Sequence, residues 1–374
     1  MARQVILTLN AGSSTVKCGL FTLDDEPAEI ARDTIQGGGR SALAGVETWI
    51  ASHDDELSIA AVGHRLVHGG SVYVDPQRVT PELVANLRSL VPFAPNHLPD
   101  EIALIEASIE AYPEALQCAC FDTAFHATMP EVARRLPLPQ SLTARGIQKY
   151  GFHGLSYAYL VEALKRIAGS AAADGRVILA HLGNGSSLAA VYRGHSIDTT
   201  MGFTPIGGVM MGTRTGDIDP GVITHLGRTG LSPDELEKLL SGASGLLGVS
   251  GATSDMKTLL ARERTDASCR MAIEMYVYSI AKAVAALCVA LNGVDTIVFS
   301  GGIGEHAPAI RGRVLARLMW LGIHVDSSAN ERNAAVISST VSRVTVRVIP
   351  TNEELVIARS TSRLAHQEGH GNRS

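Results

Sequence analysis

The stretch Val5-Ile-Leu-Thr-Leu-Asn-Ala-Gly-Ser-Ser-Thr-Val-Lys-Cys-Gly-Leu-Phe21 places a small polar turn between two apolar runs. Such runs, bounded by Gly, Asn and Ser, predict two antiparallel strands joined by a tight turn. The same layout returns in Val177-Ile-Leu-Ala-His-Leu-Gly-Asn-Gly-Ser-Ser-Leu-Ala-Ala-Val-Tyr192. Gly185 follows Gly12 at an offset of 173 residues, close to half the chain. We therefore infer an internal duplication in which each half opens on a hairpin.

Strand and helix patterns alternate along the rest of the chain. Strands are predicted at Ile59–Val67, Cys118–Asp122, Asp295–Ser300 and Val344–Ile349, and the clearest helices at 81–91, 100–112 and 266–291 and from Ser232 onward. The alternation predicts an α/β protein, and 374 residues exceed a single domain of about 150 residues. We expect two domains, residues 1–149 with 351–374 and residues 150–350, with a cleft between them.

Composition excludes several classes of protein. A chain with 45% hydrophobic and 18% charged residues folds into a core and is not disordered. The net charge of −5 excludes a bulk positive field for nucleic acid or an anionic membrane. Five cysteines without zinc-ligand spacing, and the lack of a signal peptide or an 18-residue apolar run, predict reduced thiols in a cytoplasmic protein.

Glycine turns are the candidate phosphate-binding elements. The chain has neither a GxxxxGK[ST] loop nor an N-terminal GxGxxG motif. It has instead the two Gly-Ser-Ser turns and a third glycine turn, Gly301–Gly304, directly after a strand. Backbone amides in such turns bind phosphate oxygens. The alternative for each turn taken alone is that hairpins are simply rich in glycine.

Several charged and polar side chains stand where a binding site is expected. Arg65 interrupts an apolar strand, and a buried guanidinium without an anion is costly, so it binds either a ligand or a structural partner. Asp122 ends a strand, as functional groups of open α/β sheets do, and helix capping is the alternative. His153 lies between two glycines and is either a ligand contact or a core histidine.

Further cations and carboxylates complete the candidate set. Arg214 is the one cation in a glycine-rich loop, which favours a forked donor to a carboxylate or phosphate over a surface charge. Asn10 and Lys17 lie in the first hairpin, where an ordinary surface position is the alternative. Glu353 begins the last helix and could bind a cation, or could act in capping, where Thr351 and Glu354 have capping-box spacing. Together these groups indicate phosphoryl transfer.

Eight motifs, in one order, resemble those of the acetokinase family of the actin, sugar kinase and Hsp70-like superfamily. They are Asn10-Ala-Gly-Ser-Ser, His64-Arg-Leu-Val-His-Gly-Gly70, Phe121-Asp-Thr-Ala-Phe-His126, Tyr150-Gly-Phe-His-Gly154, His181-Leu-Gly-Asn-Gly185, Met211-Gly-Thr-Arg214 with Gly216-Asp-Ile-Asp219, Ser300-Gly-Gly-Ile-Gly-Glu305 and Pro350-Thr-Asn-Glu-Glu354. The resemblance, which covers residues 9–358, implies a duplicated actin-like ATPase fold related to ribonuclease H. It also implies a cytoplasmic homodimer that uses ATP and Mg²⁺, or Mn²⁺, to phosphorylate a short carboxylate reversibly.

The resemblance also implies roles for matching residues. Arg65 and Arg214 would grip the carboxylate and the transferring phosphoryl group, His153 would stabilise its equatorial oxygens, and Asp122 would orient substrate or metal. Asn10 and Glu353 would hold the metal. The substrate would also contact Val67, Asn96, Phe152 and Pro205. ATP would contact Lys17, His181, Leu182, Gly183, Asn184, Gly185, Asp255, Met256, Lys257, Gly301, Gly302, Ile303, Gly304 and Glu305.

Substrate identity is the least determined point. Asn96 stands where the family usually has an apolar residue, so propionate, butyrate or a hydroxy acid is an alternative to acetate. A carboxylic acid with a pKa of about 4 to 5 is ionised at neutral pH and needs no general base. A sugar kinase would need Asp122 as a base, and a non-catalytic nucleotide-binding regulator would bind ATP without turnover. These two classes are the remaining alternatives.

Overall fold

The computed structural model describes residues 3–12, 15–53 and 57–371, with side chains to residue 367. The tip of the first predicted turn, Ser13-Ser14, lies outside the described residues. The chain forms two compact units, each with one sheet. The first consists of Met1–Ala127, Phe152–Tyr159 and Asn352–Ser374, and the second of Thr128–Gly151 and Leu160–Thr351. The predicted domains were residues 1–149 with 351–374, and residues 150–350. Residues 128–149 instead belong to the second unit, and residues 152–159 belong to the first.

The sheet of the first unit has six strands in the order β3-β2-β1-β4-β6-β5. They are β1 Arg3–Ala11, β2 Thr15–Thr22, β3 Glu29–Gln36, β4 Leu57–Leu66, β5 Gln77–Arg78 and β6 Leu116–Phe121. The first three form an antiparallel meander, and β4 and β6 continue the sheet parallel to β1. β5 pairs antiparallel to β6 at the far edge.

The sheet of the second unit has five strands in the order β11-β10-β7-β8-β9. They are β7 Arg176–Leu182, β8 Ser186–Tyr192, β9 His195–Thr199, β10 Thr296–Ser300 and β11 Thr345–Val348. Again three antiparallel strands are followed by two strands parallel to the first, β10 on β7 and β11 on β10. Both units therefore repeat one strand order, which confirms the predicted duplication and the actin-like α/β fold.

Helices cover the sheets because the apolar strand residues need partners on both faces. In the first unit they are Arg40–Ala51, Pro81–Leu90, Val91–Phe93, Leu98–Ala111, Ala124–Thr128 and Glu353–Gly371, and Gly154–Ala168 begins there. The other helices are Glu131–Arg134, Gln140–Thr143, Ser170–Ala173, Pro220–Arg228, Pro233–Gly242, Gly245–Ser250, Met256–Arg262, Ala267–Ala290, Gly301–His306, Pro308–Ala316, Met319–Leu321 and Ser327–Glu331. The helix predicted from Ser232 has its full capping box with Glu235.

The core of each unit follows from these layers. In the first, Leu7 and Leu9 of β1 pack with Val46 and Leu104 of two helices on one face of the sheet. On the other face, Ala358 of the helix Glu353–Gly371 packs against β-strand residues such as Ile6, Phe21 and Ala61. This helix is capped by Asn352, whose Oδ1 accepts from the Leu355 N–H at 3.0 Å. The predicted Thr351–Glu354 capping box was therefore wrong, because the helix begins one residue later than that box requires.

The helix Ala267–Ala290 is the central core element of the second unit. Among the described residues it is the one helix long and apolar enough to span a membrane, with a mean hydropathy of 1.6 in its most apolar window. Half of that window is buried within the protein. Tyr276 and Ile280 of this helix pack against Ile178 and Phe299 of the sheet. All five cysteines are free and buried.

Candidate active site

The carboxyl ends of three parallel strands define the candidate site of the first unit. β1, β4 and β6 run parallel, so their last residues meet at one edge of the sheet. Asn10 lies near the end of β1, Arg65 lies near the end of β4, and Asp122 directly follows β6. The fold therefore gathers three residues that are far apart in sequence.

Arg65 is held by a network of acceptors. Its Nε donates to Oδ2 of Asp122 at 3.0 Å, and Nη2 donates to the same oxygen. Nη1 donates to the Ala11 carbonyl at 3.1 Å and to Oε1 of Glu101 at 3.0 Å. Burial alone would lower the pKa of Arg65, but the charges of Asp122 and Glu101 raise it above its usual value. The guanidinium is therefore fixed in place and remains charged.

Glu101 is a member of this network that sequence reasoning missed. Its side chain is 2% exposed, and its Oε2 accepts from the Val67 N–H at 2.9 Å. Burial raises the pKa of its carboxyl to about 7, against the opposing effects of Arg65 and the Val67 N–H. In the sequence, an acid in the first turn of the helix Leu98–Ala111 is typical of a favourable interaction with the helix dipole. Only the folded sheet shows that it contacts Arg65.

Asp122 anchors the segment that carries Phe152 and His153. Its backbone carbonyl accepts from the Gly154 N–H at 2.9 Å. A second tie is made by the buried His126, whose Nε2 lies 3.0 Å from the Phe152 carbonyl. The Asp122 Oδ1 atom is buried and has no hydrogen-bond partner among the described residues. An orphaned carboxylate oxygen beside Arg65 is a position where a ligand can supply the missing partner.

His153 has a left-handed backbone, with φ of 61°, which a non-glycine residue adopts at an energetic cost. Phe152 before it is 1% exposed, and Val67 is 2% exposed. The ring of Phe152 lies 5.6 Å from the ring of His68. Val67 and Phe152, which the resemblance assigned to the substrate's alkyl group, are thus both buried within the first unit.

Asn10 connects the two ends of the chain. Its Nδ2 donates to Oε2 of Glu353 at 2.8 Å and to Oε1 of Glu354 at 3.1 Å. Lys17 lies opposite Asn10 in the strand pair and is exposed. The predicted metal pair Asn10 and Glu353 is therefore in direct contact. Within the described residues, however, no group of three or more His, Cys, Asp or Glu side chains forms a ready metal cage.

Asn96 lies on an exposed turn before the helix Leu98–Ala111. Val67 and Phe152, by contrast, are buried. The proposed contact of Asn96 with the substrate stays a prediction.

In the second unit, the loop that carries Arg214 is fixed to its surroundings by backbone hydrogen bonds. The Met211 N–H donates to the Arg214 carbonyl at 3.1 Å, and the Thr215 N–H donates to Leu240 at 3.0 Å. The Nη1 atom of Arg214 donates to the Pro205 carbonyl at 3.0 Å. Arg214 and Pro205, both predicted site residues, therefore lie together.

A cavity of about 760 Å³ collects half of the predicted ATP-binding residues. Its lining includes Gly183, Asn184, Asp255, Met256, Lys257, Gly302 and Ile303 from the predicted set. The lining is completed by residues that no sequence motif singled out: Ser254, Leu260, His306, Ala307, Pro308, Ala309 and Glu331. Its predominantly apolar lining, interrupted by a few polar groups, is typical of a small-molecule site.

The other predicted ATP-binding residues lie outside that lining. Leu182, Gly301 and Gly304 are buried, and His181 and Gly185 belong to the β7–β8 hairpin. Glu305 is not part of the cavity lining, and its Oε1 accepts from the N–H of Gly301 at 2.9 Å and of Thr351 at 3.3 Å. Its visible contacts are thus structural, at the start of the helix Gly301–His306. That helix opens on Gly301, whose φ of 75° suits glycine.

Arg311 is a second residue that sequence reasoning missed, and it contacts segments that adjoin the cavity lining. It is fully buried, and all its nitrogens donate to neighbouring oxygens. Nη1 donates to the carbonyls of Gly304 and Glu305, while Nε and Nη2 donate to Asn330 at 2.9 and 2.7 Å. Because Glu331 adjoins Asn330, this arginine joins two segments of the cavity wall. From sequence alone it is indistinguishable from a surface helix residue.

Comparisons with known proteins agree on one group of enzymes. A family model described as the Acetokinase family matches residues 40–359. The chain is 45% identical to an acetate kinase of Rhodopseudomonas palustris (strain TIE-1), covering 96% of this chain and 98% of that one. Its structure is similar to a propionate kinase from Francisella tularensis, with a TM-score of 0.88 and 34% identity over 96% and 99% of the two chains. It is also similar to Porphyromonas gingivalis acetate kinase, with a TM-score of 0.85 and 35% identity over 97% and 100%.

Proposed function

The chain belongs to the acetokinase family, and on that premise we propose that it catalyses the reversible, ATP-dependent phosphorylation of acetate to acetyl phosphate. The observation that carries this proposal is Arg65, which is 13% exposed and fixed beside Asp122 in the unit where Val67 and Phe152 are buried. A fixed cation together with a small apolar surface suits a short-chain carboxylate.

The state of Asp122 favours a carboxylate substrate over a sugar. One carboxylate oxygen of Asp122 accepts two N–H groups from Arg65 and is therefore engaged in an ion pair. A sugar hydroxyl needs a base to remove its proton, but a carboxylate arrives already ionised. Asp122 thus positions Arg65 and the substrate, and no proton has to be transferred to it.

Phosphoryl transfer is then a matter of position and charge. Arg65 binds and orients the carboxylate, while Arg214 neutralises the phosphoryl group in transfer. His153, held in its left-handed conformation, donates to an equatorial oxygen of that group. A carboxylate oxygen attacks the γ-phosphorus, the new O–P bond forms, and the bond to the ADP oxygen breaks with its electrons remaining on ADP.

The cavity of the second unit is the proposed nucleotide site. Asp255, Met256 and Lys257 contact the adenosine, and the glycines at 183 and 302 let phosphates approach the backbone. The family resemblance alone assigns Lys17 a contact with the phosphates. At the start of the short helix Gly301–His306, the Gly301 N–H already donates to Glu305. The other backbone N–H groups of that turn contact the phosphates.

A magnesium ion, or manganese, fits the oxygen-rich end of the first unit. The orphaned Oδ1 of Asp122 and the carboxylate of Glu353 offer hard oxygen ligands, and Asn10 holds Glu353 in place. Mg²⁺ usually takes few protein ligands and completes its shell with water and phosphate oxygens. When bound, the ion neutralises phosphate charge.

Propionate is the second candidate substrate because a propionate kinase has a similar structure. We further propose a cytoplasmic homodimer, which follows from the family resemblance; both points stay predictions.

Hydroxylamine trapping tests the function directly. The purified protein with ATP, Mg²⁺ and hydroxylamine is incubated with acetate, propionate, butyrate or glycolate, and the hydroxamate formed from each acyl phosphate is measured. We expect the highest kcat/KM with acetate and no product when Mg²⁺ is chelated. Arg65→Ala should abolish product, whereas Arg40→Ala, at a surface ion pair, should not. A protein that makes no hydroxamate from any acid does not have this function.

A further inference from the structure

We propose that Glu101 is a positioning residue that sets both the orientation of Arg65 and the place of Val67, and so determines affinity for the carboxylate and selectivity for its alkyl group. This inference rests on the proposed function and concerns the same site. No family motif in the sequence includes Glu101.

A single carboxyl group joins the two parts of the carboxylate site. One oxygen of Glu101 accepts from Nη1 of Arg65 at 3.0 Å, and the other accepts from the backbone N–H of Val67 at 2.9 Å. Arg65 is the proposed grip on the substrate's charge, and Val67 is the proposed wall for its alkyl group. Because Glu101 contacts both, displacing it moves both.

The helix that bears Glu101 provides a firm anchor. Glu101 is in the first turn of Leu98–Ala111, and Leu104 of that helix is packed in the core with Leu7 and Val62. The carboxyl is 2% exposed, so water does not replace it readily. The packed helix therefore fixes the place of the Glu101 carboxylate, and that carboxylate fixes Arg65 and Val67.

The donor inventory of Arg65 shows what Glu101 achieves. A guanidinium has five N–H groups. Nε and Nη2 donate to Asp122, and Nη1 donates to Ala11 and Glu101, so four groups are used. One N–H of Nη2 is left for a substrate oxygen. Without Glu101, the Nη1 atom of Arg65 keeps only the neutral carbonyl of Ala11 as an acceptor. The Asp122 carboxylate then attracts the guanidinium from one side with no opposing negative charge on the other.

Chemistry favours a carboxylate at this position. Both partners of Glu101 are donors, and a carboxylate offers only acceptors. A glutamine of equal size can accept from one of them but must present its own N–H groups to the other. Glu101→Gln is therefore a near-isosteric change that breaks the link between Arg65 and Val67.

The test compares Glu101→Gln with Glu106→Gln on the same helix, where Glu106 pairs with Arg88 at the surface. KM and kcat are measured for acetate, propionate and ATP. We expect Glu101→Gln to raise KM for acetate by about tenfold or more. The ratio of kcat/KM for acetate to kcat/KM for propionate should move closer to one. KM for ATP should stay within about twofold of wild type. Glu106→Gln should match wild type in all three.

Two results would overturn the inference. The first is a Glu101→Gln enzyme with unchanged KM for acetate and unchanged preference between the acids. The second is an equal loss for acid and ATP with a lower Tm, which indicates a merely structural residue. If Glu101→Gln does not fold, Glu101→Asp keeps the charge but is too short to reach both donors; a wild-type KM for acetate in that variant has the same meaning.

Failure of the proposed function gives a different pattern. If the wild type makes no hydroxamate from any acid, the proposed function is wrong and the inference falls with it. If the wild type is active but Glu101→Gln behaves like wild type, the proposed function is retained and the inference about Glu101 is rejected. The shift of Tm produced by acetate is measured in parallel, because loss of that shift in Glu101→Gln supports the inference without turnover.

Discussion

Gly154→Ala should disable catalysis through a steric clash of a single methyl group. A Cβ at this position would overlap the Asp122 carbonyl oxygen and lie 2.9 Å from the Cβ of Phe125 and 3.0 Å from the Asp122 carbonyl carbon. Carbon atoms ordinarily approach to about 3.5 to 4.0 Å, and the overlap with the carbonyl oxygen is more severe still, so the segment has to move by roughly 1 Å or more. That movement breaks the Gly154–Asp122 hydrogen bond, now 2.9 Å, and displaces the neighbouring His153.

A misplacement of about 1 Å near the reacting groups costs roughly 100-fold in rate, or about 2.7 kcal/mol of activation free energy. We therefore expect kcat for acetyl phosphate formation to fall by about two orders of magnitude, with KM for ATP nearly unchanged. Steady-state hydroxamate kinetics measure both constants, and thermal unfolding should show a loss of about 1 to 3 kcal/mol in the free energy of unfolding.

Gly227→Ala is the matched control, because a Cβ at that position would lie 3.9 Å from Cδ1 of Leu236, which is an ordinary contact. The same methyl group in that open helical position should leave kcat unchanged and raise stability slightly. A Gly154→Ala enzyme with kcat within about twofold of wild type would refute the reasoning, since it would show that the contact of Gly154 with Asp122 does not position the site.

Three further predictions concern other groups. Arg214→Ala should lower kcat far more than it weakens ATP binding, because its charge is needed mainly in the transition state; equal losses in both would argue for a structural role. Arg311→Met should leave buried carbonyls without donors and lower the free energy of unfolding by about 3 kcal/mol or more, with a raised KM for ATP; an unchanged urea midpoint would contradict this. Burial lowers the pKa of His64 and of His68 to about 4, so the unfolded chain binds more protons between pH 6.5 and 4. The contribution of each histidine to the free energy of unfolding should therefore be fully present above about pH 6.5. It should fall by up to roughly 3 kcal/mol per histidine as the pH drops towards 4. Urea titrations should show a smaller loss of stability at acid pH for His64→Gln than for His225→Gln, an exposed control.

Structural features that depend on residues close together in the sequence were predictable. Both hairpins and the parallel strands were readable because apolar runs and turn residues are local signals, and the repeat of those signals gave the duplication. Arg65 was identifiable because a cation within an apolar strand requires an anion nearby. The structure supplies those anions as Asp122 and Glu101.

Features that depend on distant partners were not predictable. Glu101 and Arg311 occupy helical positions that look like ordinary surface, and only packing buries them. Asn352 rather than Thr351 caps the last helix, because helix boundaries depend on one or two residues. The hydrogen bonds of the Glu305 carboxylate to the N–H groups of Gly301 and Thr351 were not predictable either, and its contact with ATP stays a prediction.

The pairing of Asn10 with Glu353 spans 343 residues of chain. A ribosome adds about 5 to 20 residues per second, so Asn10 leaves it roughly 20 to 70 s before its partner. During that interval the sheet face formed by Ile6, Phe21 and Ala61 lacks the helix residue Ala358 that covers it. The second unit, whose segments are synthesised earlier than residue 352, can complete its core in the meantime. The nascent protein therefore exposes an apolar sheet face for most of its synthesis, and the contact between Asn10 and Glu353 forms last.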